Sequence, residues 1–221
     1  MTSEDQLISE LCEAAQRLSA SGLSPGSSGN VSVRTGDRVL LSRTGADLGT
    51  LTSEDFAVLD LGGSLLDGPR PSKEFPFHTA LYRRSEEFRA VLHIHSTYAT
   101  AASLFPPWSA RSAIPPITPY FVMRVGQTPL IPYHHPGDAA QAEVIRSWPH
   151  GFRAVLLQNH GPVVAGRTVT EAMAATLELE ETCKLLTLTG SHEVAALSEA
   201  QSQELAITYG SFWEAPEDTG T

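Results

Sequence analysis

The sequence has few of the features that mark secreted, membrane-spanning or disulfide-stabilised proteins. Its 221 residues include only two cysteines, Cys12 and Cys183, which lie far apart and form no CxxC pair. This argues against a disulfide framework and favours a reducing, cytoplasmic setting. No apolar stretch approaches 18 residues, the length expected of a membrane-spanning helix. The N-terminal segment is acidic and amphipathic and lacks the basic start and apolar run of a signal peptide.

Positive charge is also scarce. The chain has 15 Lys and Arg residues against 25 Asp and Glu residues, a net charge of −10. This balance argues against non-specific binding to nucleic acid or to an anionic membrane. A phosphorylated small molecule is still possible, because one local pocket can be positive on an acidic protein. Hydrophobic residues make up 41% of the chain, enough for a substantial core, and the low charged fraction of 18% excludes a disordered tail.

The order of apolar patterns predicts one α/β domain over residues 1–221. Segments with helical periodicity alternate with strands and tight hairpins, which is typical of an α/β sandwich with a mixed, mainly antiparallel sheet. Ser3 is expected to cap the first helix, and Thr168 or Thr170 the longest one. Residues 105–137 contain eight prolines and are predicted to be irregular. Residues 195–221 are predicted to be a polar, weakly patterned C-terminal tail.

Two histidines interrupt an apolar strand pattern in "RAVLHIHSTYAT" (89–100). Residues two apart in a strand share a face, so His93 and His95 are expected to point the same way while Ile94 points into the core. Such a pair either binds one metal ion or consists of two core histidines bonded to backbone carbonyls. The pair alone does not decide between these interpretations.

A third histidine, His160, lies in "LLQNHGPVVAG", at the edge of another apolar strand. Three neutral imidazoles around an open fourth position are the usual protein ligands of a catalytic zinc ion. The remaining histidines are weaker candidates. His78 is four residues after Glu74, but Pro76 interrupts a helical pairing of the two. His134 and His135 are adjacent in a proline-rich loop and should point apart.

Glu74 precedes an apolar helix in "PRPSKEFPFH", and two roles are open for it. It can be a carboxylate stabilised by the helix dipole, or a proton shuttle beside a metal. Three loops of small residues, "GSSGN" (26–30), "RTGA" (43–46) and "PSK" (71–73), offer backbone N–H groups to an anion. Each could equally be an ordinary turn, and none matches the P-loop or the dinucleotide fingerprint.

Five ordered segments, "SSGNVSVR", "LSRTGADLGTL", "PSKEFPFH", "AVLHIHS" and "LLQNHGPVVAG", resemble the class II aldolase/adducin family over about residues 5 to 190. The resemblance implies a three-layer αβα sandwich and a homotetramer with active sites between subunits. It implies a divalent metal, usually zinc, and a catalytic carboxylate at Glu74. The implied metal ligands are His93, His95 and His160, and the implied phosphate-binding residues are Gly29, Asn30, Thr44, Gly45, Ser72 and Lys73.

The segment "PPITPYFVMRVGQTPLIPYHHPGD" (115–138), together with "PSKE" and "LELEETCKLL", is similar to the 3-oxo-tetronate 4-phosphate decarboxylases of that family. This implies decarboxylation of a phosphorylated four-carbon sugar acid to dihydroxyacetone phosphate and CO2 through a zinc-stabilised enediolate. Mn²⁺ or Co²⁺ would accept the same ligands. Tyr120 lies about where the family's aldolases have a proton-donating tyrosine from a neighbouring subunit. Arg124 is expected to meet the substrate's carboxylate or phosphate.

Two other functions stay open at this point. An aldolase of the L-fuculose-phosphate type, or a related lyase, would use the same enediolate, although such aldolases commonly have a second serine where this chain has Lys73. The family's sugar-phosphate 4-epimerases carry aspartate at the position of Glu74, which makes an epimerase less suitable. A non-enzymatic, adducin-like interaction module is the third possibility. Members of that kind lack the metal histidines, whereas this chain keeps all three.

Overall fold

The computed structural model describes residues 3–190 and 192–214. Within these ranges the helices are α1 (Glu4–Ala20), α2 (Phe75–Arg84), α3 (Thr97–Ala102), α4 (Pro119–Arg124), α5 (Ala139–Ser147), α6 (Val169–Thr189) and α7 (Glu199–Tyr209). The strands are β1 (Asn30–Thr35), β2 (Arg38–Ser42), β3 (Phe56–Asp60), β4 (Leu65–Asp67), β5 (Ala90–His93), β6 (Leu130–Ile131), β7 (Ala154–Leu157) and β8 (Gly161–Gly166).

The eight strands form a single sheet in the order β4-β3-β2-β1-β5-β8-β7-β6. Every neighbouring pair is antiparallel except β6 and β7, which are parallel. The prediction of a mixed, mainly antiparallel sheet is therefore confirmed. Because β1, β5 and β8 lie side by side at its centre, residues at one end of these strands come together in space.

Both faces of the sheet are covered by helices, which confirms the three-layer αβα sandwich. Successive residues of β5 show how the pleat divides the core: Ala90 and Leu92 pack in a cluster with side chains of α1 and α6, and Val91 packs with α2 and α5. Such alternation follows from the two-residue period of a strand. Burial of large apolar side chains on both faces, at roughly 1.5–3 kcal/mol each, stabilises the layers against one another.

The predicted helix starts agree with the structure. The Ser3 hydroxyl accepts a hydrogen bond from Gln6 N at 3.2 Å, and the Thr168 hydroxyl accepts one from Glu171 N at 3.0 Å. Thr168, and not Thr170, therefore caps the longest helix. Cys12 and Cys183 are buried free thiols. In the part of the chain described, no helix combines the length and the apolar character needed to cross a membrane.

Two segments are more regular than predicted. The proline-rich stretch contains α4 and β6, because Pro119 stands in the first turn of α4, where a missing N–H costs no helical hydrogen bond. The predicted polar tail contains α7, which begins with a capping box at Ser198. Ala206 and Trp213 bury this part of the chain in the same cluster as Phe121. Residues 215–221 of the predicted tail lie outside the described residues.

Candidate metal centre

The candidate site lies at one end of the three central strands. Asn30, the first residue of β1, is paired with His93, the last residue of β5, and His93 is paired with Val163 in β8. His160 directly precedes β8, and Glu74 is the N-cap residue of α2. Four segments that are distant in sequence thus contribute to one site through antiparallel pairing and the placement of one helix.

Three imidazole nitrogens converge in this site. The Nε2 atom of His95 is 3.0 Å from Nε2 of His93 and 3.0 Å from Nε2 of His160. Two nitrogens bound to one tetrahedral zinc ion at ~2.0–2.1 Å are about 3.3 Å apart, so the donor set fits one such cation with little adjustment. The prediction that His95 belongs to the strand is wrong, because β5 ends at His93 and His95 follows it.

The other ring nitrogen of His93, Nδ1, determines how this side chain is oriented. Its Nδ1 donates a hydrogen bond to the carbonyl oxygen of Pro162 at 2.8 Å. This bond leaves Nε2 as the free nitrogen facing the other two histidines. A backbone carbonyl that fixes the remote ring nitrogen is the usual partner of a metal-binding histidine. His93 therefore fits both interpretations of the histidine pair. Its Nδ1 bonds to a backbone carbonyl, and its Nε2 is free to bind a metal ion.

Burial keeps the three imidazoles in the form that a metal requires. Removal from water lowers the pKa of His93 well below its ordinary value, and the neighbouring imidazoles lower it further. Burial also lowers the pKa of His95 to about 4 and lowers the pKa of His160. All three rings are neutral near pH 7, with lone pairs available for a cation.

The carboxylate of Glu74 faces the histidines and does not cap its helix. Glu74 makes no side-chain capping hydrogen bond at the start of α2, although it occupies the N-cap position. Its Oε2 is 3.5 Å from His93 Nε2, and its Oε1 is 3.4 Å from His160 Nε2. Oε2 also accepts a hydrogen bond from Asn30 Nδ2 at 2.7 Å. The carboxylate is thus held next to the position of a cation, within reach of a molecule bound there.

A cavity of about 210 Å³ opens beside the histidines. The six residues predicted to bind phosphate all line it, together with Glu74, His95 and His160. Their hydrogen bonds show which groups are available. Within the described residues, the backbone N–H groups of Gly29, Gly45 and Lys73 donate no hydrogen bond. The Thr44 N–H already donates to Arg70 O, and the Ser72 N–H to Ser42 O, both at 3.1 Å, so these two residues offer their hydroxyls instead.

Two cations border this cavity on an otherwise acidic protein. Lys73 is exposed there, and no carboxylate among the described residues forms an ion pair with it. Arg43 also lines the cavity, and its Nε donates to Asp55 Oδ1 at 2.7 Å. Sequence reasoning missed Arg43, although its place directly before Thr44 in a proposed anion loop was an available signal. The lining suits an anionic ligand.

Gly29 allows the loop of residues 26–30 to approach the end of β5 closely. Its φ is +88°, and a Cβ atom placed there would lie 2.6 Å from the carbonyl oxygen of His93. Any other residue would clash with that backbone and adopt an unfavourable left-handed conformation. Glycine therefore allows the loop of residues 26–30 to pack directly on the end of β5.

Tyr120 and Arg124 are not brought into the cavity. Both are exposed on α4, where the Arg124 guanidinium lies 5.1 Å from the centroid of the Tyr120 ring. Arg124 also reaches Glu178 Oε2 at 3.5 Å. Neither residue lines the cavity that contains Lys73 and the histidines. Within one chain, the predicted roles of these two residues have no geometric support.

The remaining histidines named above lie outside the cluster. His134 is 3.6 Å from Asp138, and the His135 ring packs against Tyr133. His78 is completely buried and bonds to Asn30 and Ser32.

The structure also reveals a buried carboxylate that sequence reasoning missed. Glu180 accepts hydrogen bonds from Ser96 Oγ, Tyr98 N and Ala99 N at 2.6–2.9 Å, which fixes the chain immediately after His95.

Known proteins resemble this chain in both sequence and fold. Residues 9–187 match the family described as "Class II Aldolase and Adducin N-terminal domain". The chain is 39% identical over 207 residues to the 3-oxo-tetronate 4-phosphate decarboxylase of Pectobacterium atrosepticum, covering 93% of this chain and 95% of that one. It is 34% identical over 160 residues to an L-fuculose phosphate aldolase of Methanococcus maripaludis, covering 72% and 84%. The solved structure of YgbL from Klebsiella pneumoniae superposes with a TM-score of 0.87 at 39% identity, covering 93% and 99%.

Proposed function

The chain belongs to the class II aldolase and adducin family, and from that premise we propose that it is a metal-dependent 3-oxo-tetronate 4-phosphate decarboxylase. The products are CO2 and dihydroxyacetone phosphate. One observation carries the proposal: three convergent imidazole nitrogens lie beside a cavity that Glu74 and Lys73 line, in a chain 39% identical to a decarboxylase of that name over almost its full length.

The proposed chemistry follows from the structure of the substrate. A 3-oxo acid can lose its carboxylate when the ketone oxygen accepts the electron pair of the breaking C–C bond. A divalent cation held by His93, His95 and His160 would supply the Lewis acidity for that ketone oxygen. We propose Zn²⁺ in this position, since three imidazoles are its usual catalytic ligands, and Mn²⁺ or Co²⁺ would accept the same set.

Glu74 is proposed to manage the proton that completes the reaction. Loss of CO2 leaves an enediolate, and protonation at the carbon that carried the carboxylate yields dihydroxyacetone phosphate. Two observations support this role. The Glu74 oxygens lie 3.4 and 3.5 Å from the His160 and His93 nitrogens, and the Glu74 side chain makes no capping hydrogen bond to α2. A carboxylate within hydrogen-bond reach of the reacting atoms is a suitable general acid or base.

The phosphate is proposed to bind at the opposite side of the cavity. The free N–H groups of Gly29, Gly45 and Lys73 would donate to its oxygens, and the hydroxyls of Thr44 and Ser72 would join them. The Lys73 ammonium would balance part of the dianion's charge. Asn30 has a second N–H beside the one that it donates to Glu74, and we propose that this hydrogen also faces the phosphate.

We further propose that the protein is a cytoplasmic homotetramer in which Tyr120 and Arg124 serve the cavity of another copy. Their exposure on α4, away from their own cavity, supports a role between subunits. Tyr120 would then donate a proton, and Arg124 would contact the substrate carboxylate or phosphate. The two buried free thiols support a reducing compartment.

An aldolase acting on a ketose 1-phosphate is the second candidate, because an L-fuculose phosphate aldolase is 34% identical over 160 residues. It would form the same enediolate by breaking a bond to an aldehyde. The 39% identity to the decarboxylase over 207 residues favours the first candidate. An adducin-like binding module is disfavoured by the convergent histidines, which such a module would not need.

The test is product analysis with purified, metal-loaded protein. With 3-oxo-tetronate 4-phosphate as substrate, we expect CO2 and dihydroxyacetone phosphate in equal amounts, and loss of both after chelation. Release of an aldehyde from a ketose 1-phosphate without CO2 from the sugar acid would favour the aldolase. A protein that binds no metal by elemental analysis would contradict both enzymatic candidates and leave the binding module.

A further inference from the structure

A row of buried polar side chains runs from Glu74 into the interior, and the proposed chemistry does not use it. Asn30 bonds to Glu74, His78 to Asn30, Ser32 to His78 and Tyr82 to Ser32. Tyr82, Ser32 and His78 are fully buried, and Asn30 and Glu74 are only 4% and 6% exposed. Polar groups in such a position are costly unless each donor and acceptor is satisfied.

The carboxylate at one end and the neutral His78 ring together determine the direction of the hydrogen bonds in this row. A carboxylate oxygen only accepts, so the Asn30 atom that lies 2.7 Å from Glu74 is the amide nitrogen Nδ2. The Asn30 carbonyl oxygen Oδ1 therefore faces His78, and His78 Nε2 must carry the proton that this oxygen accepts. Nδ1 of His78 is then the acceptor for the Ser32 hydroxyl at 2.8 Å.

The far end of the row completes the pattern. The Ser32 hydroxyl donates to His78, so its oxygen accepts from the Tyr82 hydroxyl at 2.8 Å. Burial also lowers the pKa of His78 to about 3, so the ring is neutral and has one donor and one acceptor nitrogen. A charged ring would instead donate from Nδ1 to the Ser32 hydroxyl, and Ser32 would then donate to Tyr82.

We propose that His78 is a positioning residue, which holds the Asn30 amide in one orientation and thereby fixes the carboxylate of Glu74 beside the metal ligands. The proposal rests on the proposed catalytic role of Glu74. His78 contacts neither substrate nor cation in this arrangement. It acts because its Nε2–H holds the Asn30 carbonyl oxygen, and so adds a second anchor to the amide orientation that Glu74 favours.

This arrangement also links the two halves of the cavity. Asn30 lines the phosphate side, while its amide holds the carboxylate on the histidine side. An Asn30 side chain without its partner at Oδ1 is held only by Glu74 and can move to other rotamers. The carboxylate would then lose the fixed donor that positions it.

Steady-state kinetics test this role with two His78 variants and a matched control. In His78→Leu the donor to Asn30 is lost, and we expect kcat to fall about 10-fold to 100-fold while metal content and KM change little. In His78→Gln an amide donor is retained, and we expect recovery of most of the turnover. The control is Thr79→Val, which removes a buried hydroxyl bond to Pro76 O on the same helix without touching Asn30.

The comparison among the three variants distinguishes positioning from packing. Loss of turnover in proportion to loss of thermal stability, equal in all three, would overturn the proposal. So would full turnover in His78→Leu. If the wild-type protein releases no CO2 at all, the proposed function fails, and a second measurement decides the network by itself.

That second measurement is the tautomer of His78 by ¹⁵N NMR of imidazole-labelled protein, with His78→Gln used to assign its signals. We expect a protonated Nε2 and a bare Nδ1 at pH 7, with or without substrate. A protonated Nδ1 with a bare Nε2 would require the Asn30 amide to be reversed and would overturn the proposed orientation of Glu74. This readout depends on no catalytic activity.

Discussion

The histidine cluster and the α4 surface were both predicted to take part in the reaction, and their structures differ sharply. The cluster combines His93, His95, His160 and Glu74 from separate segments, and within a single chain each has a polar atom 3.0–3.5 Å from that of another member. On α4, Tyr120 is 53% exposed and its ring lies 5.1 Å from the Arg124 guanidinium, which also reaches Glu178 at 3.5 Å.

This difference teaches what one copy of the chain can supply. Strand pairing determines the relative positions of the metal ligands, because the ends of β1, β5 and β8 are neighbours in the sheet. No such constraint acts on α4, whose outer face belongs to a cavity only if another copy provides one. We therefore expect substitutions in the cluster to act on metal and chemistry, and substitutions on α4 to act only within an assembly.

The largest effect is expected from His160→Ala. Loss of one of three neutral ligands should weaken metal binding by more than about 100-fold, since outer-shell changes alone cost 10- to 100-fold. Turnover should fall below detection. Elemental analysis and CO2 release measure both, and His192→Ala is the matched control, because its exposed ring bonds to Thr189 O at the end of α6, away from the cluster. A variant that keeps its metal would remove His160 from the proposed centre.

Glu74→Gln should separate metal binding from proton transfer. The amide has nearly the same shape as the carboxylate but cannot exchange a proton, so we expect bound metal at the wild-type level and kcat reduced by about 100-fold to 10,000-fold. Metal content and initial rates of CO2 release, measured on the same preparation, give the result. Full turnover in this variant would show that Glu74 only supports the fold.

Lys73→Met tests the phosphate side of the cavity. The change keeps much of the side-chain volume and removes the ammonium, so we expect KM to rise about 10-fold to 100-fold with a smaller change in kcat. Lys184→Met is the control, because Lys184 lies on the exposed side of α6 and pairs with Glu181. Equal kinetics for the two variants would place the phosphate elsewhere.

Tyr120→Phe should have the smallest effect and the most informative one for α4. The hydroxyl is exposed, so metal content and Tm should not change, while kcat should fall about 10-fold if a second copy uses this group as a proton donor. Tyr209→Phe, which alters another exposed tyrosine, is the control. Unchanged turnover in a protein shown by light scattering to be tetrameric would confine the chemistry to the histidine cluster and its carboxylate.

The parts of the site that the sequence predicts are those with a local pattern. The spacing of His93 and His95 around buried Ile94 indicates two side chains on one side of a strand end, and this geometry survives although β5 stops at His93. Thr168 is recognisable as a cap because its side chain bonds three residues along the chain. The resemblance of ordered segments then provides the association of His160 with the pair.

What the sequence does not predict depends on contacts between distant residues. Ser32 and Tyr82 are 50 positions apart, and only the packing of β1 on α2 makes them partners. The Thr44 N–H is not available to a phosphate because it already donates to Arg70 O. α4 was missed because proline density masks a helix that begins with proline. Glu180 was missed because one carboxylate among the several in α6 has no local sign of burial.

A crystal structure of the metal-loaded protein with inorganic phosphate tests the central claim most directly. We expect anomalous density for one cation bound to the Nε2 atoms of His93, His95 and His160 at about 2.0–2.1 Å. We also expect a phosphate held by Lys73 and the N–H of Gly45, with Glu74 still bonded to Asn30. A cation held elsewhere, or three histidines that bond only to one another in the presence of excess zinc, would contradict the claim.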